Sequence, residues 1–252
     1  AIAQIMERFL KKKFPNATVT LMGSYRRGKT ELGDVDVVIL EKSFLNSTPK
    51  GAIGELVSKL MESDHIAYHL THHIDGILHS LRNGPMNSSS QESNDSDSYH
   101  LKSLSAAPSD RYEGTQTYMG VFNSPMVEGK RRRVDIKWYP YNERAYATVH
   151  FTGCGFFNRS IRLYAEKVKG LKLSDHGLFY RSIPKQRNKR SKQPSKRYER
   201  TCNTEEDVFE ALGLEYKRPH ERNSFDDVVD RSTGISVYLD QPDLVDANVK
   251  GN

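Results

Sequence analysis

The stretch Gly23-Ser24-Tyr25-Arg26-Arg27-Gly28-Lys29, followed by Gly33-Asp34-Val35-Asp36 and the apolar run Val37-Val38-Ile39-Leu40, decides how this chain is read. Residues two apart on a strand project from one face, so Asp34 and Asp36 point the same way. Side by side and unpaired, such carboxylates repel, and one pKa is driven up. A divalent cation removes that conflict, and hard carboxylate oxygens suit Mg²⁺. The upstream turn, rich in Gly, Ser and Arg, carries donors of the kind that hold phosphate oxygens. Carboxylates for a metal beside donors for phosphate point to nucleotidyl transfer. Alone, Asp-x-Asp is a common strand ending and carries no such meaning.

At 252 residues the chain has room for one large domain or two small ones. It can bury a core, although 36% hydrophobic against 28% charged residues describes a polar protein. Cys154 and Cys202 make neither a disulfide framework nor a zinc pattern, which fits a reducing compartment. No apolar run reaches membrane-spanning length, and no secretory signal opens the chain. The first residue is Ala rather than Met, which leaves open that this is a piece of a longer protein.

The net charge of +6 is unevenly placed. Residues 181–200 hold nine Lys or Arg against one Glu, so the rest of the chain sums to −2. Basicity belongs to that one run. It reads either as a nucleic-acid or nuclear-import patch or as a solvated insertion without a ligand.

Ile2, Ile5, Met6, Phe9, Leu10 and Phe14 keep helical spacing, Lys11, Lys12 and Lys13 close the helix where cations suit its dipole, and Pro15-Asn16 breaks it. Strands follow at Thr18–Met22 and Asp34–Leu40, a helix from Ala52 to Met61, and a short strand near Ile66–Leu70. Residues 80–114 lose all period, with a Ser-rich core that reads as unfolded. Strands at Thr117–Phe122 and Arg132–Trp138 flank a hairpin connection. Helices near Asn142–Val149 and Phe156–Lys169 enclose a Thr152-Gly153 turn. A further helix starts at Thr204, a capping candidate, and ends near Gly213. In the last stretch, Ile235–Leu239 suggests a strand.

Asp135 lies mid-strand in Arg133-Val134-Asp135-Ile136, an unfavourable place for an Asp. Either it pairs with Arg133 or Lys137 on its own face, or it joins Asp34 and Asp36 in a three-carboxylate cluster. Taken with Gly-Ser-Tyr-Arg-Arg-Gly-Lys at 23–29, Gly-Asp-Val-Asp-Val at 33–37 and Arg-Arg-Val-Asp-Ile at 132–136, it carries a resemblance. Phe151-Thr152-Gly153, Asn158-Arg159-Ser160-Ile161-Arg162, Leu173-Ser174-Asp175-His176 and the segment 204–222 extend it. The chain resembles the palm and thumb of family X DNA polymerases, the beta, lambda, mu and terminal-transferase group. Gly-Ser before Asp-x-Asp is shared with the wider nucleotidyltransferase superfamily; the Phe-Thr-Gly and Asn-Arg-x-x-Arg segment is narrower.

The resemblance implies an α+β fold: a nucleotidyltransferase-type palm over residues 1–149, interrupted at about 80–114, and a small α+β thumb over 150–252, interrupted at about 181–200. It implies two-metal-ion nucleotidyl transfer, with two Mg²⁺ (Mn²⁺ as the alternative ion) on Asp34, Asp36 and Asp135. Ser24, Arg27, Lys29 and Gly33 would hold the β- and γ-phosphates. His150, Phe151, Gly153 and Asn158 would meet the nucleotide's sugar and base, while Arg133 and Arg162 would contact DNA. Arg26, Arg131 and Arg132 are expected to give only general electrostatics. Partners follow as primer–template DNA and dNTP, the protein being nuclear and monomeric, off the membrane, in gap-filling repair or end joining. Repair or end-joining factors would dock through a region upstream of residue 1.

Three departures qualify the resemblance. His150 stands where many relatives have Tyr, which puts discrimination against a ribose 2′-hydroxyl in doubt. The 80–114 insertion falls at a loop that substitutes for missing template in some relatives, but it lacks residues able to pack. The sequence as given holds neither the amino-terminal helical domain with its lyase lysine nor the helix-hairpin-helix that grips the primer. The piece is therefore expected to lack lyase activity and to bind DNA weakly, by roughly 10³-fold or more at physiological salt. Two other readings remain: a template-independent or ribonucleotide-tolerant enzyme, and a catalytically silent scaffold that binds DNA ends.

Overall fold

The computed structural model describes residues 1–70, 112–181 and 196–240. The Ser-rich insertion and most of the basic run lie outside the described residues.

Helix α1 (Ile2–Leu10) buries Met6 and Leu10 along the stripe its spacing predicts. Strand β1 (Ala17–Leu21) leads through Met22 into α2 (Gly23–Arg26), a single helical turn where the sequence suggested only a turn. Then come β2 (Asp34–Glu41), β3 (Thr48–Pro49), α3 (Ala52–Glu62) and β4 (Ile66–His69). Beyond the undescribed stretch follow β5 (Tyr112–Glu113), β6 (Gln116–Asn123) and β7 (Arg131–Trp138). Helices α4 (Arg144–Thr152) and α5 (Gly155–Lys167), the hairpin β8 (Leu171–Ser174) and β9 (Gly177–Tyr180), α6 (Glu205–Leu212) and α7 (Val237–Asp240) follow among the described residues.

Five strands form one mixed sheet in the order β1-β2-β7-β6-β4; β2 and β7 run parallel and the other pairs antiparallel. Period-two alternation divides its faces. Val35, Val37 and Ile39 of β2 and Val134, Ile136 and Trp138 of β7 enter a core shared with α1 and α3. The intervening residues, among them Asp34, Asp36 and Asp135, are left on the opposite face. Part of that face is closed by α4, where Met22, Val38, Tyr139 and Ala147 form a small apolar cluster. A separate core gathers Val149, Phe157, Ile161, Leu178, Phe209 and Leu212 from α4, α5, the β8–β9 hairpin and α6. The fold is α+β, a mixed sheet with helices beside a smaller α+β unit. Among the described residues no helix is long and apolar enough to cross a membrane.

The capping expectation holds in detail. Thr204 accepts a hydrogen bond from the Asp207 N–H while the Asp207 side chain accepts from Thr204, and Gly213 ends α6 in the left-handed conformation at φ 72°. The strand expected at Ile235–Leu239 does not form. Gly234, at φ +69°, turns the chain, and Asp230 accepts from Ser232 and Thr233 to hold that turn tight. Only one bridge, Val229 to Ser236, is made before the chain coils into α7 and buries Val237 in the second core.

Candidate active site

Register between β2 and β7 builds the acidic end of the site. Asp34 lies opposite Arg133, and Asp36 lies directly opposite Asp135. In a parallel pair the partners share a face, so two carboxylates 99 residues apart in sequence become neighbours. Burial raises Asp36 to about 6, and the charges of Asp34 and Asp135 add to the rise. Burial also raises Asp135, against the pull of Arg133 and Lys137. Charge repulsion, the cause expected from sequence, is thus the smaller one.

Arg133 sits among the three acids. Its Nη2 donates to Asp34 Oδ2, and its Nε lies 3.4 Å from Asp135 Oδ1. The Arg133–Asp135 pairing weighed from sequence therefore exists, alongside the cluster rather than in place of it. Yet Asp135 Oδ1 is buried without a hydrogen bond, a costly state for a polar atom. Among the described residues no three acidic, His or Cys groups converge tightly enough to cage a metal ion, and Arg133 engages Asp34. The donor set still fits a hard cation. It offers a buried carboxylate oxygen without a hydrogen bond, a neighbouring carboxylate whose charge is disfavoured, and a third that one arginine movement would free.

Helix α2 connects this end to the thumb. Gly23 has φ +58°, and a Cβ there would fall 2.2 Å from Asp36 Oδ2, so a side chain is excluded on two grounds. Ser24 follows on the same turn, its carbonyl accepting from the Lys29 N–H at 3.0 Å. Lys29 and Gly33 are exposed, and nothing within 4 Å of Gly33 demands glycine. At the far end, Arg27 Nη1 donates to the Thr152 carbonyl at 2.5 Å and lies beside Gly153, where a Cβ would meet it at 3.0 Å. Arg27 thus spans from the glycine turn to the end of α4.

Phe151 lies beside Tyr139, ring centroids 5.7 Å apart, with the Lys137 ammonium 4.9 Å from its ring. His150 packs edge-on against Phe151 at 4.6 Å. Its Nδ1 accepts from Arg162 Nη2, and its carbonyl accepts from Asn158 Nδ2 at 2.7 Å. Asn158 and Arg162 therefore face the α4–α5 turn and are engaged within the protein. The structure brings the expected residues into two groups, Asp34–Asp36–Arg133–Asp135 and His150–Phe151–Asn158–Arg162. It joins them through Gly23 and Arg27; Lys29 and Gly33 stay on the exposed loop.

Sequence reasoning missed a charge cluster behind the turn. Arg26 Nη2 pairs with Glu205 Oε2 at 2.6 Å, and its Nη1 donates to Thr152 Oγ1 at 2.5 Å. Glu205 Oε1 also accepts from Arg222 Nη1 at 2.6 Å; Arg222 is 0% exposed and ringed by Phe157, Phe209 and Tyr216. The general electrostatic role expected of Arg26 is replaced by a specific ion pair, because α2 delivers it to a buried carboxylate. The only sequence signal was a pair of arginines where one would suffice for phosphate. A second junction has Tyr139 donating to Asp175 Oδ2 at 2.5 Å and His176 Nδ1 2.8 Å from Glu143 Oε2.

A mixed sheet with paired acids beside a Gly-Ser turn, joined to a small α+β unit, is a nucleotidyltransferase-type palm with its thumb. Family models for the DNA polymerase beta palm and thumb match residues 1–84 and 147–223. Over 220 residues the chain is 29% identical to DNA polymerase lambda of Arabidopsis thaliana, covering 87% of this chain and 34% of that protein. Over 226 residues it is 29% identical to the DNA-directed DNA/RNA polymerase mu of Homo sapiens, covering 89% and 40%. With the DNA nucleotidylexotransferase of Ambystoma mexicanum it shares 27% over 228 residues, covering 89% and 40%. The chain belongs to family X of the DNA polymerases. It spans about a third to two-fifths of the length of these relatives.

Proposed function

We propose that this chain carries the catalytic centre of a DNA-directed DNA polymerase that adds dNMP to a primer 3′-hydroxyl. The observation that carries the reading is the register pairing of Asp36 with Asp135, whose buried Oδ1 makes no hydrogen bond and only a 3.4 Å ion pair with Arg133. Asp34, Asp36 and Asp135 would hold two Mg²⁺. When bound, such ions supply Lewis acidity to the attacking hydroxyl and charge neutralisation to the triphosphate. Arg133 holds Asp135 in place and, on leaving Asp34, would be free for a primer phosphate. Ser24, Lys29 and Arg27 would bind the β- and γ-phosphates at the glycine turn, where a bidentate guanidinium is hard to replace. Phe151 would lie under the sugar, Asn158 would reach the base edge and Arg162 the template.

The proposed division is a palm over residues 1–149 and a thumb over 150–252; two separate cores favour two units, with Ala145, Tyr146 and Val149 of α4 packing into the second. We assign the protein to gap-filling repair or end joining in the nucleus, acting as a monomer. The likeness to DNA polymerases lambda and mu supports the polymerase activity on which that assignment builds. The likeness to a nucleotidylexotransferase supports a second reading, template-independent extension.

Primer extension decides between them. On gapped DNA with Mg²⁺ the protein should incorporate the complementary dNMP, and Asp135→Ala should abolish incorporation. Unchanged incorporation by that variant would overturn the catalytic assignment, and equal extension of a lone single strand would favour the second reading.

A further inference from the structure

One residue, His150, holds both side chains that the polymerase reading sends to the nascent base pair. Asn158 and Arg162 lie one turn apart on α5, and both donate to His150 at the end of α4. Asn158 bonds to its main-chain carbonyl and Arg162 to its ring Nδ1. Between them lies a cavity of only about 10 Å³, lined also by Tyr146, Ile161 and Leu173, room for about one water. The contact with Arg162 requires an imidazole with its proton on Nε2, since a guanidinium has no acceptor to offer in return. Burial, with Arg162 close by, lowers His150 to about 4, so the ring is neutral near pH 7 and Nδ1 can accept.

We propose that His150 is a positioning residue that parks Arg162 and Asn158 in the DNA-free protein, so that DNA must displace both from one residue before either can grip it. This rests on the polymerase reading above. An arginine bonded within the protein is withheld from phosphate and base, and breaking its bond counts against binding. Because both donors end on His150, a shift of the α4 end releases them together. The device depends on a ring nitrogen at position 150, where a Phe has no acceptor.

The test is equilibrium binding of the full chain to fluorescently labelled gapped DNA across a salt series. His150→Phe keeps a ring against Phe151 and removes the acceptor; Asn158, bonded to the main chain, stays held. This variant should bind gapped DNA roughly three- to tenfold tighter at every salt concentration, with the log K against log salt slope unchanged, because Arg162 meets DNA in both complexes. In an Arg162→Ala background the same replacement should change nothing. His150→Asn, which places an amide oxygen near the lost nitrogen, should bind as the wild type does. Equal or weaker binding by a folded His150→Phe protein, or a gain that persists without Arg162, overturns the proposal. That outcome with incorporation intact leaves the polymerase reading standing. Absence of DNA binding by wild type and variant alike, down to the lowest salt of the series where phosphate contacts are strongest, would bring both down.

Discussion

Arg26 and Glu205, 179 residues apart, meet in a two-pronged ion pair, Nη2 to Oε2 at 2.6 Å and Nη1 to Oε1 at 3.1 Å. The pair pins the helical turn that carries Gly23 to the first turn of α6. Glu205 serves a second cation, Arg222, which is wholly buried.

Replacing Glu205 should therefore cost more than replacing Arg26. Glu205→Ala leaves Arg222 buried and uncompensated, a loss of about 3–5 kcal/mol. Arg26→Ala leaves Glu205 paired with Arg222 and should cost less, about 1–2 kcal/mol. Denaturant unfolding of both variants measures the order, and the reverse order would remove the argument.

Gly23 and Gly33 should behave oppositely. Gly23→Ala forces a Cβ onto Asp36 at φ +58°, and about 1–3 kcal/mol of strain should appear as lower stability, displaced Asp36 and lost incorporation. Gly33→Ala meets nothing within 4 Å and should unfold as the wild type does. Thermal melts alongside primer extension separate the two.

Divalent cations should stabilise the protein in a pH-dependent way. Asp36 is raised from 3.8 to about 6, so the fold favours its protonated form. That contribution is present below about 4 and is lost as pH rises through 6. At pH 7.5 the charged cluster is under strain, and Mg²⁺ should raise the melting temperature; at pH 5 the increase should be smaller. An equal increase at both values, or none, would contradict the cluster's part in cation binding.

His150 shows the opposite sign. Its ordinary value of 6.5 falls to about 4 in the fold, so the unfolded chain binds the proton more readily. Stability should fall as pH drops from 6.5 towards 4. Subtracting the unfolding free energies of His150→Phe from those of the wild type across that window isolates the term. A flat difference would show that burial of the ring contributes nothing.

The strands were legible because β7 and the Asp34–Val37 start of β2 alternate apolar with polar residues, which put Asp34, Asp36 and Asp135 on the face away from Val37, Ile39 and Ile136. The ends of α6 were legible because Thr204 and Gly213 cap by local chemistry. The Ile235–Leu239 strand was misread because its apolar residues fit a strand only if a neighbour pairs with them, and one bridge is all the turn at Gly234 permits.

By itself, then, the sequence determined which residues share a strand face, where helices start and stop, and the family to which the motifs belong. Only tertiary structure decided that Asp36 meets Asp135, that Arg133 engages Asp34, that Arg26 serves Glu205, and that His150 holds Arg162. Face and cap arise from geometry repeating every two to four residues along one segment. Pairing across 99 or 179 residues depends on strand register and on how helices seat against the sheet. Those are fixed by the whole core at once, and no local pattern carries them.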